Sequence, residues 1–321
     1  MNEFLIIKKY FSNLSKKNKG TFGLSDDIFF DYQKKIALSI DTYNEKTHFL
    51  NFKNPELVIK KALRSAISDL VCKGISPKFY LISFSGSKKH LSKKNIYKIS
   101  LALKQEQKKY NIILSGGDTC HSNKLSITIS SIGYSKKPPI LRNGAKNNDD
   151  IYLTNNIGDA FVGLNILKKK IKLGENSTNY FIKQFYLPNI PFKFSKKIHL
   201  FANSSIDISD GFFQDLEHIL SNSNLSSEIF VNDIPVSVHL NSYLRKTKKN
   251  KLDFISKGDD YQILFTANKN KRNLIKKVSK ATSTKVSIIG VIKNKSISKS
   301  IKLINGKFGL PKKLGYIHNF S

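Results

Sequence analysis

The aspartates of this chain are concentrated in a few short segments from which basic residues are almost absent. The chain has 55 Lys and Arg and only 23 Asp and Glu among 321 residues, yet ten of its sixteen aspartates lie in six short segments. Only the last of these contains a basic residue. The segments are GLSDD (23–27), SIDT (39–42), AISDL (66–70), SGGDT (115–119), SSIDISDGFFQD (204–215) and KGDDY (257–261). Because an unpaired buried carboxylate is costly, such groups protonate, pair with a cation or bind a metal.

Two interpretations of these acids remain open from the residues alone. A single Asp after a strand is often a turn former or a helix N-cap, and Ser209 and Asp210 could cap the helix that begins at GFFQDLEHIL. Asp69 could be a polar residue at the end of a helix. Independent caps, however, have no need to avoid Lys. Oxygen-only clusters without His–Cys spacing suit Mg²⁺ rather than Zn²⁺, so the second interpretation predicts a magnesium site.

The net charge of +32 is carried by Lys rather than Arg, since only Arg64, Arg142, Arg245 and Arg272 are Arg. Proteins that read nucleic acid rely on Arg for bidentate contacts. Lysines spread over the whole chain instead indicate a solvated basic surface that attracts anionic ligands in general. We therefore expect no specific binding of nucleic acid, although a basic nucleic-acid-binding protein remains an alternative.

Length and composition exclude several classes of protein. At about 100–200 residues per domain, the chain has two domains or one large one, and its 40% apolar content suffices for packed cores. It contains no run of about 18 uncharged apolar residues, which predicts no membrane span. The start, MNEFLIIKKYF, does not resemble a secretion signal. Two cysteines make no disulfide framework, so we expect a cytoplasmic protein with Cys72 and Cys120 buried and inert.

The sequence of the first half of the chain predicts strands and helices that alternate irregularly. Asn54-Pro55 is typical of a helix start, and Gly74 of its end. Gly116 and Gly117 allow the backbone to approach a bulky anion closely. The predicted elements are a strand at 36–40 that ends in Asp41, a helix from 55 to about 73, a strand at 79–85, an amphipathic helix at 92–109, a buried strand at 111–115 and a half-buried strand at 125–135.

A Pro-Pro pair and the NGAKNNDD stretch predict a domain boundary at 138–150. Beyond it we predict strands at 151–154, 204–209, 227–231, 260–266, 285–292 and 300–304, three helices between 158 and 202, one from Asp210–Gly211 and one near 269–280. The helix predicted to begin at Asp210–Gly211 would present free N–H groups and a positive dipole end, which favour the binding of an anion there. The whole pattern favours an α+β (mixed α/β) fold with mixed sheets and domains at 1–137 and 147–321.

The order of these segments resembles the thiamine-monophosphate kinase family, of the aminoimidazole-ribonucleotide-synthetase-like superfamily, along almost the whole chain. Each string is weak alone, and the resemblance is carried by ten of them in the right order and spacing. They are EFLIIKKYF (3–11), SDD (25–27), SIDTYNEKTHF (39–49), KALRSAISDL (61–70), SGGDT (115–119), LRNGAK (141–146), IYLTNNIGDAFVGL (151–164), SSIDISDGFFQDLEHI (204–219), KGDDYQILFT (257–266) and GY (315–316).

The resemblance implies transfer of the γ-phosphoryl group of ATP to thiamine monophosphate, assisted by several Mg²⁺ ions. It also implies a homodimer formed through the sheets of the N-terminal domain, with the site in the cleft beside the C-terminal α/β domain. The implied metal ligands are Asp27, Ser39, Asp41, Asp69, Asp118, Asp207 and Asp210. The implied nucleotide contacts are Gly117, Asp118, Arg142 and Ser209. The implied substrate contacts are His48, Asp259 and Tyr316, the last stacking on the thiamine ring.

No general base is expected, because a phosphate acceptor is already mostly dianionic at pH 7. The sequence departs from the family pattern at Ile40, Ala66 and Asp259, where the family usually has Thr, Asn and Glu. None of these changes removes a metal-binding carboxylate, so we expect an active enzyme. Another ATP-using enzyme of the superfamily remains the nearest alternative, but SIDTYNEKTHF and the terminal GY fit the kinase better.

Overall fold

The computed structural model describes residues 1–296, 300–306 and 309–320. The first half of the chain forms a five-stranded sheet in the order β1-β2-β5-β3-β4. Only β3 and β4 pair in parallel. The strands are β1 (Phe29–Asp31), β2 (Ile36–Asn44), β3 (Ser76–Gly86), β4 (Ile113–His121) and β5 (Ser126–Tyr134).

The second half forms a six-stranded sheet in the order β11-β8-β10-β6-β9-β7. Its one parallel pair among the described strands is β11 with β8. The strands are β6 (Asp150–Thr154), β7 (Ala202–Asp207), β8 (Leu225–Phe230), β9 (Ile263–Ala267), β10 (Val286–Asn294) and β11 (Ile301–Ile304).

Helices connect and cover both sheets. They are α1 (Glu3–Ile6), α2 (Pro55–Cys72), α3 (Lys93–Tyr110), α4 (Asp159–Leu167), α5 (Glu175–Tyr186), α6 (Phe192–Ser195), α7 (Phe212–Ser223), α8 (Val238–Thr247), α9 (Leu252–Ile255) and α10 (Arg272–Thr282). Among the described residues, none of these helices combines the length and hydrophobicity that a membrane crossing requires.

Local sequence explains where the two long helices of the first half begin and end. Pro55 occupies the first turn of α2, where its missing N–H costs nothing, and Gly74 follows the helix with a φ of +77°. Helix α3 begins after Ser92, whose hydroxyl accepts the Asn95 N–H, and ends at Asn111 in the left-handed region. Both helices lie where the sequence predicted them.

Helix α2 lies between the two sheets and joins their cores. It packs on β2 and β5 of the first sheet and on β7 of the second. The largest hydrophobic cluster accordingly contains Ile59 and Tyr80 from the first half together with Tyr152 and Phe265 from the second. The predicted mixed α/β class with two sheet domains is confirmed. The boundaries of the two domains stay a prediction, placed where the chain passes from β5 to β6.

Three predicted elements need correction. Strand β2 continues to Asn44, so Asp41 lies inside the strand and not at its end. Strand β9 begins only at Ile263, which leaves Asp259 in the preceding loop. The buried strand predicted at 111–115 is wrong: β4 runs on through Gly116 and Gly117, and all nine of its residues are exposed in the single chain. The reason is that β4 is the edge strand of its sheet, with a partner on one side only.

Candidate functional site

One side of helix α2 carries four residues that face the acids of the chain. They are spaced i, i+4, i+7 and i+11, which places them on one stripe of an α-helix. With a rise of about 1.5 Å per residue, the stripe is roughly 16 Å long. The four residues are Lys61, Ser65, Ser68 and Cys72.

Two hydroxyls of this stripe hold carboxylates from different sheets. Ser65 Oγ donates to Asp41 Oδ2 at 3.2 Å, and Asp41 comes from β2. Ser68 Oγ donates to Asp207 Oδ2 at 2.5 Å, and Asp207 ends β7. Asp69 lies on the same helix, next to Ser68. Helix α2 therefore brings together three of the predicted metal ligands from three separate parts of the sequence.

These carboxylates are poorly neutralised. Burial raises the pKa of Asp41 to about 6, with the charge of Asp27 adding to the effect. Burial and the charges of Asp27 and Asp41 raise the pKa of Asp207 to about 7. Burial and the neighbouring carboxylates raise the pKa of Asp69 well above its ordinary value. The Oδ1 atom of Asp207 is buried and has no hydrogen-bond partner among the described residues. A buried oxygen without a partner, among carboxylates whose pKa values are raised, fits a cation-binding site, and carboxylate oxygens suit Mg²⁺.

Asp26 and Asp27 are neutralised instead by two basic side chains. Lys73 Nζ lies 2.8 Å from Asp26 Oδ1 and 2.7 Å from Asp27 Oδ2. The guanidinium of Arg142 also binds Asp27, and its backbone N–H donates to Asp26 Oδ2 at 2.8 Å. Burial alone would raise the pKa of Asp27, but Arg142 and Lys73 outweigh it and hold this pKa well below its ordinary value. Arg142 thus pairs with Asp27, while Asp150 pairs with Arg272.

The turn before helix α7 connects the acids to two more predicted site residues. The helix is capped by Gly211, whose N–H donates to Asp215 Oδ2 at 3.0 Å, so Ser209 and Asp210 are not its caps. Their backbone carbonyls accept the N–H groups of Asp259 at 2.9 Å and Tyr316 at 3.0 Å. Burial, Glu3 and Asp207 raise the pKa of Asp210 to about 7.

The predicted substrate residues meet at the other end of the helical stripe. Lys61 Nζ lies 2.9 Å from Asp259 Oδ1, and Tyr261 donates its hydroxyl to the same oxygen at 3.0 Å. The His48 ring lies 5.7 Å from that of His318.

Two ring contacts complete this end of the site. The His318 ring lies 4.9 Å from the half-exposed ring of Tyr316. His48 Nδ1 accepts the Asn44 N–H at 3.0 Å, and burial together with His318 lowers the His48 pKa. A neutral, oriented imidazole results.

The structure does not bring Asp118 to the other acids of the same chain. Asp41 of β2 pairs with Ile129 of β5, which pairs with Ile82 of β3, which in turn pairs with Gly117 of β4. Asp41 and Gly117 therefore lie in the same row across the sheet. Three steps of about 4.8 Å separate their strands, or roughly 14 Å. Because side chains alternate along a strand, Asp118 belongs to the opposite face of the sheet from Asp41. Asp118 is exposed, as is all of β4.

Two further predicted residues have packing roles in the structure. The buried Ser39 hydroxyl lies 2.7 Å from Ser131 Oγ and donates to the Ala66 carbonyl at 3.2 Å, which fixes β2 to α2. Gly117 has a φ of +157°, and a Cβ there would lie 1.8 Å from the Ile82 carbonyl oxygen. The neighbouring strand therefore requires a glycine at this position, and the predicted contact of Gly117 with the nucleotide stays a prediction.

Sequence reasoning missed several residues of this site: Lys61, Lys73, Ser68, Cys72 and His318. The helical spacing of 61, 65, 68 and 72 was a signal that pointed to Lys61, Ser68 and Cys72, but it did not include Lys73. Cys72 is buried as expected; its thiol lies within 4.8 Å of ligand atoms of Asp27 and Asp207, and burial raises its pKa well above the ordinary value. Cys120, also expected to be buried, is exposed on β4.

The two-sheet fold and its buried acid cluster are those of a protein of the AIR synthase class. The sequence profile described as "AIR synthase related protein, N-terminal domain" matches residues 25–135. The chain is 37% identical to the thiamine-monophosphate kinase of Buchnera aphidicola subsp. Schizaphis graminum, with 99% of this chain and 98% of that protein covered. It is 31% identical to the thiamine-monophosphate kinase of Aquifex aeolicus, over 75% and 78% of the two chains.

A solved structure agrees with these relatives. AaThiL complexed with AMPPCP and TMP superposes with a TM-score of 0.85 at 27% identity, covering 99% of this chain and 97% of that one. The chain belongs to the thiamine-monophosphate kinase family.

Proposed function

We propose that the protein is a thiamine-phosphate kinase that transfers the γ-phosphoryl group of ATP to thiamine monophosphate, giving thiamine diphosphate and ADP. The observation that carries this proposal is the stripe of α2, which connects the Lys61–Asp259 ion pair at one end to the carboxylate cluster at Ser68. Lys61 and Ser68 are seven positions apart, or about 10 Å along the helix. That separation suits a substrate with an aromatic cation at one end and a phosphate at the other. The solved complex of AaThiL with AMPPCP and TMP supports the same pair of reactants.

Of the predicted ligands that the chain brings together, four form no ion pair among the described residues and would hold Mg²⁺: Asp41, Asp69, Asp207 and Asp210. Mg²⁺ bound there would supply positive charge to the phosphate oxygens of both reactants. Asp27 and Ser39, which the resemblance also implies as ligands, border this group but already make ion pairs or hydrogen bonds.

The chain's own residues bind and orient the reactants. Arg142, which binds Asp27, and Ser209, which precedes Asp210, would contact the phosphates of ATP. The basic surface raises the local concentration of both anions. At the other end, Tyr316 and His48 hold the thiamine rings, and Asp259 faces their positive charge. The acceptor phosphate needs no base to remove a proton, since it is already mostly dianionic near neutral pH. Positioning and charge neutralisation therefore account for the catalysis.

We further propose that the protein is a homodimer and that Asp118 and Gly117 complete the site of the partner subunit. The outer face of the first sheet is apolar and uncovered in the single chain, with Ile40, Leu81 and Ile113 exposed by 67%, 38% and 57%. Such an apolar face beside an unpaired edge strand is typical of a sheet that pairs with another chain. Asp118 lies on this face, where it is out of reach of its own chain's acids.

Product formation tests the main proposal. Purified protein is incubated with ATP, thiamine monophosphate and Mg²⁺, and thiamine diphosphate is measured by chromatography, with EDTA as the metal-free control. We expect thiamine diphosphate only when all three are present. ATP turnover with no thiamine diphosphate at any Mg²⁺ concentration would favour another ATP-using enzyme of the superfamily. Tight salt-dependent nucleic-acid binding without ATP turnover would favour the basic nucleic-acid-binding alternative.

Mixing two inactive variants tests the dimer. Asp118→Asn keeps its own acids, and Asp207→Asn keeps its own Asp118, so a mixed dimer has one intact site if Asp118 acts across the interface. After denaturation and refolding together, about one quarter of the wild-type activity should return, since half of the dimers are mixed and each has one working site. No recovery in dimers shown to be mixed would mean that Asp118 does not act across the interface.

The cytoplasm is the compartment that fits this function. ATP and Mg²⁺ are both available there, and the exposed Cys120 would remain reduced. We propose domains at 1–137 and 147–321, of which the first supplies the dimer face and most acids and the second supplies Asp207, Asp210 and Asp259.

A further inference from the structure

Lys73 is a lysine whose ammonium group is fully enclosed by oxygen atoms. Its side chain has no exposed surface. Nζ lies 2.8 Å from Asp26 Oδ1, 2.7 Å from Asp27 Oδ2 and 2.7 Å from the carbonyl oxygen of Ser205, to which it donates. An ammonium group has three N–H donors, and here each has an acceptor. Three oxygens that converge on one point at equal distances, two of them anionic, form a small cage for a cation.

The remaining oxygen atoms of this cage are occupied as well. Asp26 Oδ2 accepts the backbone N–H of Arg142 at 2.8 Å, and Asp27 Oδ1 binds the Arg142 guanidinium. The nearby Asp207 differs from both, because its Oδ1 is buried and has no partner among the described residues. Atoms of Asp27 and Asp207 nevertheless lie within 4.8 Å of one another. The acid cluster therefore has a neutralised corner and an unneutralised one side by side.

We infer that Lys73 is a built-in cation that stands at the Asp26–Asp27 corner where a divalent ion would otherwise bind. This inference rests on the magnesium site of the proposed function and specifies its extent. Bound Mg²⁺ is confined to the side of the cluster formed by Asp41, Asp69, Asp207 and Asp210. The charge at the Asp27 corner is fixed by the chain and does not depend on the Mg²⁺ concentration.

The geometry explains why the lysine and a magnesium ion exclude each other. Mg²⁺ needs oxygen ligands at about 2.0–2.1 Å, whereas the cage around Nζ is open to the longer distances that an N–H···O contact requires. Removing the ammonium leaves two buried carboxylates and a carbonyl oxygen around an empty centre, with Arg142 as the one remaining counter-charge described there. Such an arrangement is strongly destabilised until another cation enters.

Counting bound Mn²⁺, a paramagnetic substitute for Mg²⁺, tests the inference. The full-length wild type and Lys73→Met are equilibrated with Mn²⁺ without nucleotide, and free Mn²⁺ is measured by electron paramagnetic resonance. We expect Lys73→Met to bind one more Mn²⁺ per chain than the wild type. Its thermal midpoint should also rise with Mn²⁺ more steeply than that of the wild type.

Two further variants serve as controls. Lys73→Arg keeps the charge and should bind the wild-type number of ions. Lys251→Met removes a partly buried lysine that donates to the carbonyls of Val231 and Ile234, outside the acid cluster, and should also leave the number unchanged.

A second measurement keeps Lys73 and tests the inference even if Lys73→Met does not fold. Asp27→Asn should not reduce the number of bound Mn²⁺ ions, because the lysine and not a metal occupies that corner. A loss of one ion in Asp27→Asn, or equal numbers in folded Lys73→Met and wild type, would overturn the inference while leaving the magnesium site standing. A wild type that binds no Mn²⁺ would overturn both.

Discussion

Ser68 of helix α2 donates a hydrogen bond of 2.5 Å to Asp207 at the end of strand β7, and both side chains are buried. The bond joins the two sheet domains at the centre of the acid cluster. Since α2 also packs on β2, the relative positions of Asp41 and Asp207 are fixed by the packing of the domains around one helix. A site built in this way is preorganised before either substrate arrives, which is the condition for electrostatic catalysis.

Asp207→Asn should abolish most of the activity while keeping the fold. The amide still accepts the Ser68 hydroxyl, but it removes one charge from the proposed metal site, and we expect turnover to fall by about 100-fold or more. The thermal midpoint in EDTA at pH 8 should rise, because a repelled carboxylate has been removed. Asp253→Asn, an exposed change outside the cluster, is the matched control. Near-normal turnover in Asp207→Asn would exclude this carboxylate from the site.

The metal-free protein should lose stability as the pH rises from about 4 to about 7. The pKa of Asp207 and of Asp210 is raised from 3.8 to about 7 in the folded state, so over this window the folded chain retains protons that the unfolded chain has lost. The free energy of unfolding therefore falls with increasing pH over this window and levels off above about pH 7. Mg²⁺ should restore the loss at pH 8 and have little effect at pH 4.5, where it competes with protons. Melting curves with EDTA and with Mg²⁺ at both pH values measure this; a metal-free midpoint that rises with pH would contradict it.

Lys61→Met should weaken substrate binding more than turnover. Lys61 is fully buried, lies 3.4 Å from the centre of the Phe185 ring and forms the ion pair that holds Asp259. Without it the Asp259 carboxylate is released from its position, so we expect the KM for thiamine monophosphate to rise about 10-fold with a smaller change in kcat and in the KM for ATP.

The adjacent lysine provides the control for this change. Lys60 lies on the exposed side of the same helix, where it contacts Gln105, and Lys60→Met should leave all three constants unchanged. Equal effects of the two substitutions would show that the loss of charge, rather than the position of Asp259, is responsible.

This pair of lysines also shows what the sequence could not reveal. Lys60 and Lys61 are neighbours in one of the many Lys-Lys pairs of the chain, yet one is solvated and the other is enclosed at the site. The phase of the helix decides between them, and the phase is visible only once the packed face of α2 is known. The scarcity of Lys in the acidic segments was informative, but their counter-ions, Lys61 and Lys73, come from just outside one of these segments.

Asp41, Asp69 and Asp207 were predicted from their surroundings in the sequence, and the structure does gather them. Asp118 shares the same local signature and lies elsewhere, because its position depends on the order of strands in the sheet and on the side of β4 that it occupies. Neither property is local. The same reason explains the wrong prediction of a buried strand at 111–115, because an apolar run looks alike in a central strand and in an edge strand.

His318→Ala should raise the KM for thiamine monophosphate several-fold without changing the KM for ATP. The His318 ring lies between those of His48 and Tyr316, so it fixes the distance between two rings that were predicted to hold the substrate. Removing it leaves both rings free to reorient, and the loss of one aromatic contact is about 0.5–1.5 kcal/mol, or up to 10-fold in binding. Tyr316→Phe keeps the ring and should bind normally. Steady-state kinetics with each substrate varied in turn measures both KM values. An increase confined to the KM for ATP would show that His318 acts in nucleotide binding and not in binding thiamine monophosphate.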